Sequence, residues 1–184
     1  MHTHIERFTL ARRIGIGVIA GAAGGLVAGL GARIAMRIVA DTIGQYPVLT
    51  LEGTLLILLI GVIFGFALGA PYGAIKHRLS GRTPVKGLIY GVMLLAIVGL
   101  PLLAPPAQGE LALAPGLLGK SLFGSLFLVY GLSIALCDAA LERALPARTG
   151  AVATVSYSLL SIIASGGLIF FSLLVVRTLL GLGG

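Results

Sequence analysis

Tryptophan is missing from this chain of 184 residues, cysteine occurs once, and acidic side chains number only six. Each scarcity excludes something. The lone Cys137 cannot form an internal disulfide, and it has no partner at a zinc-binding spacing. The histidines are His2, His4 and His77, two of them in the first few residues, so no metal set can be assembled and no cofactor is expected. No two carboxylates share one apolar segment, which leaves general acid–base chemistry without a pair to perform it. Serines are present, but the nearest base is His77 at the edge of a segment, so an activated nucleophile is lacking. The glycine-rich stretches follow no strand and are not phosphate loops. The chain reads as a non-enzyme.

Charge is scarce too. Charged residues make up 10% of the chain, against roughly 25% in soluble domains. Hydrophobic residues make up 58% and the mean hydropathy is +1.09. The solvent for such a composition is a bilayer. The net charge of +7 does not indicate nucleic acid, because no basic run with interleaved aromatics exists and cytoplasmic loops of membrane proteins collect Lys and Arg.

The whole chain, 1–184, then reads as one all-α transmembrane domain, a polytopic helical bundle of about five spans. A span needs about 20 apolar residues, and the sequence offers 14–39, 53–75, 86–104, 117–137 and 151–176. The first run is too long for a signal peptide and lacks a cleavage site at a sensible distance. Loop charges orient the bundle. Arg7, Arg12, Arg13, Lys76, Arg78, Arg82, Lys86, Arg143 and Arg148 fall on one side, and only Arg33, Arg37, Lys120 and Arg177 on the other. The bias puts the N-terminus in the cytoplasm and the C-terminus outside. The expected location is the plasma (inner) membrane.

A weak parallel repeat relates 53–104 to 117–176. At an offset of 66, Gly53 falls on Gly119, Gly65 on Gly131, Leu79 on Leu145 and Arg82 on Arg148. Chance similarity between apolar segments gives the same pattern, so both readings stand.

Glycines form two series of four. Gly17, Gly21, Gly25 and Gly29 lie in the first span, and Gly61, Gly65, Gly69 and Gly73 in the second. In lipid, small residues four apart let two backbones approach, and close packing replaces the hydrophobic drive. The series drifts about 40° per step and makes a slanted ridge. A glycine-zipper contact between spans one and two is the expected use, with a pore or ligand groove as the alternative. Gly87 and Gly91 in span three look like a ridge surplus to one helix pair. The hydroxyls of span five, Thr154, Ser156, Ser158, Ser161, Ser165 and Ser172, suit either interhelical bonding or a polar path.

After Gly29 the stripe continues as Arg33, Arg37 and Asp41. Counted from Ile14, Arg33 stands roughly 28 Å along the axis, near the outer edge of a hydrocarbon core about 30 Å thick. Two readings compete: interfacial anchoring by snorkelling, or an outer polar cluster of Arg33, Arg37, Asp41, Glu52, Glu110, Lys120 and Arg177. The second predicts that both arginines face protein within reach of Asp41, Glu52 or Glu110. At the cytoplasmic end, Asp138 and Glu142 are a like-charged pair four apart, unfavourable unless answered by Arg12, Arg13, Lys76 or Arg78. A structural rim is the expectation there.

The expected role is a structural or accessory subunit. Its partners are the lipid bilayer and another membrane protein or a second copy. The alternative is a small transporter or channel for an anionic solute, drawn by the outer cations. An enzyme acting on lipid headgroups is the third reading.

Overall fold

Proline and glycine set the boundaries of the helices. The computed structural model describes residues 2–44, 50–103 and 116–144, and every element among them is helical. Helix α1 runs His2–Thr42 without a proline. It ends where the Thr42 hydroxyl donates to the Val39 carbonyl at 2.7 Å and Gly44 takes a φ of 70°, a left-handed conformation that suits glycine after a helix end. Helix α2, Leu51–Ile75, starts on Thr50, whose hydroxyl accepts from the Gly53 N–H at 3.2 Å. It continues through Pro71 without a break. Gly81, at φ 104°, turns the chain into α3, Thr83–Leu94, which has Pro84 in its first turn.

Pro101 does not end the third span. A π-helical turn over Leu95–Gly99 follows α3, and the short α4, Leu100–Leu103, continues the axis. In an unmodified α-helix the Pro101 ring would meet the carbonyl four residues back, at Ile97. That carbonyl lies inside the widened turn, where the Leu100 N–H bonds Leu95 instead. The last described element is α5, Gly116–Ala144.

Among the described residues four helices are long and apolar enough to cross a membrane: Leu10–Thr42, Leu51–Ile75, Thr83–Leu103 and Leu117–Ala144. The fifth expected span, 151–176, lies outside the described residues, as do Glu110 and Arg177. Span four is longer than its apolar run, because α5 continues past Cys137 and carries Asp138 and Glu142 within the helix.

Helix α1 packs on both α2 and α5, and α3 packs on α5. The α1–α2 seam is a contact of backbone on backbone. A Cβ placed on Gly21 would lie 2.7 Å from Gly69 Cα, and one on Gly17 would lie 2.6 Å from the Gly69 carbonyl oxygen. The Gly25 and Gly61 backbones, and those of Gly73 and Arg13, are as close. Such distances leave no room for any side chain, so these glycines set the interhelical distance.

The α3–α5 seam is built the same way. A Cβ on Gly87 would meet the Gly131 carbonyl oxygen at 2.5 Å and Ala135 Cβ at 2.8 Å. One on Gly91 would meet the Phe127 carbonyl oxygen at 2.7 Å. The ridge of Gly87 and Gly91, surplus to the first pair, thus has its partner inside the chain. Shifted by 66 residues, Gly21, Gly65 and Gly69 become Gly87, Gly131 and Ala135, so the two pairs meet in the same register.

Between the pairs, Ala20, Tyr72, Tyr90, Leu94, Tyr130, Ile134 and Ala135 form the main core. The Tyr72 and Tyr90 rings lie 5.1 Å apart at 60°, which joins α2 to α3. The Tyr130 hydroxyl donates to the Gly65 carbonyl at 3.1 Å and the Tyr90 hydroxyl to that of Leu68. On its other face α1 offers Gly24 to Tyr130 and Ile134, and Gly31 to Leu126, so it is small-sided toward both neighbours.

Candidate functional site

Polar groups gather at the two ends of this bundle. The end that holds Lys76 is the inner one in the predicted orientation, and the end that holds Arg33 is the outer.

At the inner end, α2 stops at Ile75 and Lys76 caps it, with its N–H bonded to the Tyr72 carbonyl at 2.8 Å. That position aims the ammonium across to α5. Lys76 Nζ lies 2.7 Å from both carboxylate oxygens of Asp138 and 2.8 Å from Glu142 Oε1. Lys76 and Asp138 are buried at 8% and 4% exposure, while Glu142 is exposed. The sequence presents the problem, two carboxylates one turn apart on one helix, and four cations that could solve it. The fold brings Lys76 into direct contact with both, and the Arg12 guanidinium also acts on Asp138. Lys76 and Glu142 also stand 66 residues apart, so the ion pair joins matching positions of the two helix pairs. The site is more deeply buried than a rim.

Around this triad lies a small polar cavity of about 240 Å³, lined by Arg13, Tyr72, His77, Thr83 and Lys86 together with the triad itself. Arg13, Lys76 and Lys86 share this cavity with two carboxylates. The arrangement can hold a small anionic group beside Arg13 and Lys86, and it fixes α2 against α5.

The outer end holds the described members of the expected cluster, while Glu110 and Arg177 lie outside the described residues. Arg37, Asp41, Glu52 and Lys120 are exposed and form no ion pair among the described residues, whereas Lys76 pairs at the other end. Arg37 therefore does not face protein among these residues. The reason is the length of α2: Arg33 stands opposite Gly53, whose Cβ position lies 3.7 Å from Arg33 Nη2, while α2 begins at Leu51. One turn further along α1, Arg37 extends beyond the end of its neighbour. The buried residues of α1 at that level are Ala35 and Val39, two positions either side of Arg37 and so about 200° away around the helix. Arg33 is half-buried, and its Nε is enclosed with no hydrogen-bond partner among the described residues.

A third feature has no sequence signature. The outer halves of α1, α2 and α5 enclose an apolar groove of about 380 Å³, with α4 at its edge. Gly29, Ala32 and Met36 line it from α1, Ile57, Ile60 and Phe64 from α2, and Phe123 and Leu126 from α5.

Comparison of the chain with protein-family models, with curated proteins and with solved structures gives no match.

Proposed function

We propose that this chain is a non-enzymatic integral membrane protein of the plasma (inner) membrane, a structural or accessory subunit that packs against another membrane protein or a second copy of itself. The N-terminus is cytoplasmic in this reading, and 151–176 forms the fifth span. The observation that carries it is a rigid bundle with apolar outward faces, its helix pairs closed by backbone-contact seams, Gly21 on Gly65 and Gly69, and Gly87 on Gly131. Transport by alternating access requires one half of a bundle to rock against the other. Here each pair is locked at glycine distance, and the pairs are joined by Lys76, Tyr90 and Tyr130. What the molecule offers outward is apolar: Leu55, Leu59 and Ile63 in a row on α2, and Leu88 and Val92 on α3.

Purification in mild detergent from native membrane, with mass measurement and cross-linking, tests the proposal. A particle larger than the 18.8 kDa chain, or a membrane protein that travels with it, is the expected result. A lone monomer with no companion at native expression overturns it.

The inner cavity favours a second reading, a small carrier of an anionic solute, since Arg13 and Lys86 border it beside the triad. Flux of an anion through vesicles that contain the pure protein, lost in Arg13→Ala, would support that role over the subunit role. Equal flux with and without protein removes it.

A further inference from the structure

The apolar groove at the outer end has the length of one lipid leaflet. It spans Ile57 to Leu68 on α2 and Gly25 to Met36 on α1, eleven steps in each case. At about 1.5 Å per residue that is roughly 16 Å, half of a hydrocarbon core about 30 Å thick. Its volume of about 380 Å³ lies within the range of clefts that hold small ligands, about 300–1,000 Å³. Among the described residues it is open on one side, so a molecule can enter from within the bilayer.

A cation lies one turn beyond the groove lining on α1 and on α2. Arg33 follows Gly29 by one turn on the same stripe, and Gly29 lines the groove. On the facing helix the guanidinium reaches Gly53, one turn beyond Ile57, which also lines the groove. The side chain thus extends from the end of the apolar surface to the level where headgroups begin. Its Nε is buried, and no described carboxylate, carbonyl or hydroxyl accepts from it. A buried unpaired guanidinium N–H is costly, and a bidentate anion is the acceptor that suits its geometry. The first turn of α2 adds the positive end of a helix dipole nearby. Glu52 is the acid of that turn, but its side chain is exposed and makes no ion pair among the described residues.

We propose that this groove binds one glycerophospholipid of the outer leaflet, with an acyl chain between α1, α2 and α5 and the phosphodiester on the guanidinium edge of Arg33. The site does not depend on the subunit role above, and it gives a use to the arginine that the outer charges leave without a partner.

The test uses the full chain in phosphatidylcholine–phosphatidylglycerol vesicles containing a phosphatidylglycerol with a diazirine in its acyl chain. After illumination, adducts are mapped by mass spectrometry, and lipid retention in detergent is read by native mass spectrometry. Adducts should concentrate on Ile57, Ile60 and Phe123 several-fold over Leu88 and Val92, which also face outward. Ala32→Phe, which fills the groove, should remove the groove adducts and leave those on α3. Arg33→Ala should lower the retained phospholipid about tenfold, the size of one charge-assisted hydrogen bond, with Arg33→Lys between the two. Arg143→Ala, at the far end, should change nothing. An even spread of adducts overturns the site, as does a groove that cross-links in the wild type to 151–176 or to a second copy. Retention unchanged in Arg33→Ala overturns the headgroup assignment. If Ala32→Phe fails to fold, the wild-type map and the Arg33 variants still decide.

Discussion

Lys76 Nζ lies 2.7 Å from each carboxylate oxygen of Asp138, 62 positions further along the chain, and the same ammonium is 2.8 Å from Glu142. One buried cation therefore bridges a like-charged pair, with the Arg12 guanidinium also acting on Asp138, and ties the end of α2 to the last turns of α5. A buried pair adds little net stability compared with apolar residues of the same shape, but removing one partner leaves a bare charge.

Lys76→Met should for this reason cost several kcal/mol, about 3–5, in a detergent denaturation titration. Glu142→Gln should cost about 1 or less, because that carboxylate is exposed. The double variant Lys76→Met with Asp138→Leu should regain most of the loss. A double variant less stable than Lys76→Met alone would show that the ion pair contributes net stability in its own right.

The glycine seams make a second contrast. Gly21→Ala forces a methyl group to 2.7 Å from Gly69 Cα, so the helices must separate, at about 1–3 kcal/mol for overpacking. Gly131→Ala meets Gly91 Cα at the same 2.7 Å and should cost as much. At Gly124 the nearest atom to a new Cβ is Leu95 Cδ1 at 3.6 Å, an ordinary contact. Gly124→Ala should be neutral or stabilising by up to about 1 kcal/mol, the helix-propensity difference. Thermal unfolding of the three variants side by side checks the ranking, and equal losses would contradict it.

Much of this fold is legible in the sequence because lipid simplifies the code. Apolar runs of about 20 residues give the four described helices, and glycines at intervals of four mark their close contacts. What each ridge meets is not legible, since spacing along one helix says nothing about its neighbour. Gly87 and Gly91 look like a surface for a partner and instead meet Gly131 and Phe127. Asp138 is legible as a difficulty, a carboxylate near another on one helix. Its burial is not legible, because a charge at the end of an apolar run reads as the end of a span, and spacing along one helix does not show that Lys76 arrives from α2 to meet it. The outer groove leaves no trace at all, since Ala32, Ile57 and Phe123 are ordinary lipid-facing residues until three helices are set at fixed distances.

Tyr90 and Tyr130 send hydroxyls from the second helix pair to carbonyls of α2, at Leu68 and Gly65. Interhelical hydrogen bonds in membranes average about 0.6 kcal/mol and reach about 1.7. Tyr130→Phe should fall in that range, well below the loss in Lys76→Met, because the ring and its packing on Ile134 remain. Tyr130→Ala removes the core contact as well and should cost about 3–5 kcal/mol. Similar losses in the two variants would place the energy in the hydroxyl rather than in the ring.

Arg33 and Arg37 lie one turn apart on α1 and meet different surroundings, because α2 begins at Leu51 and reaches only the first of them. The stripe that begins with Gly17 is glycine wherever a second backbone lies opposite. It becomes arginine as that backbone ends. Arg37 is exposed and has no ion pair among the described residues, so Arg37→Ala should change stability by about 1 kcal/mol or less, the scale of an exposed pair. Arg33→Ala removes a guanidinium whose Nε is enclosed and whose Nη2 lies over Gly53. In detergent stripped of lipid that change should be tolerated or even stabilising, since it deletes a buried donor with no acceptor. In phospholipid vesicles it should be destabilising. Measuring both variants in both media separates the two arginines. Arg33→Ala with the same effect in stripped detergent and in vesicles would mean that lipid does not answer its Nε.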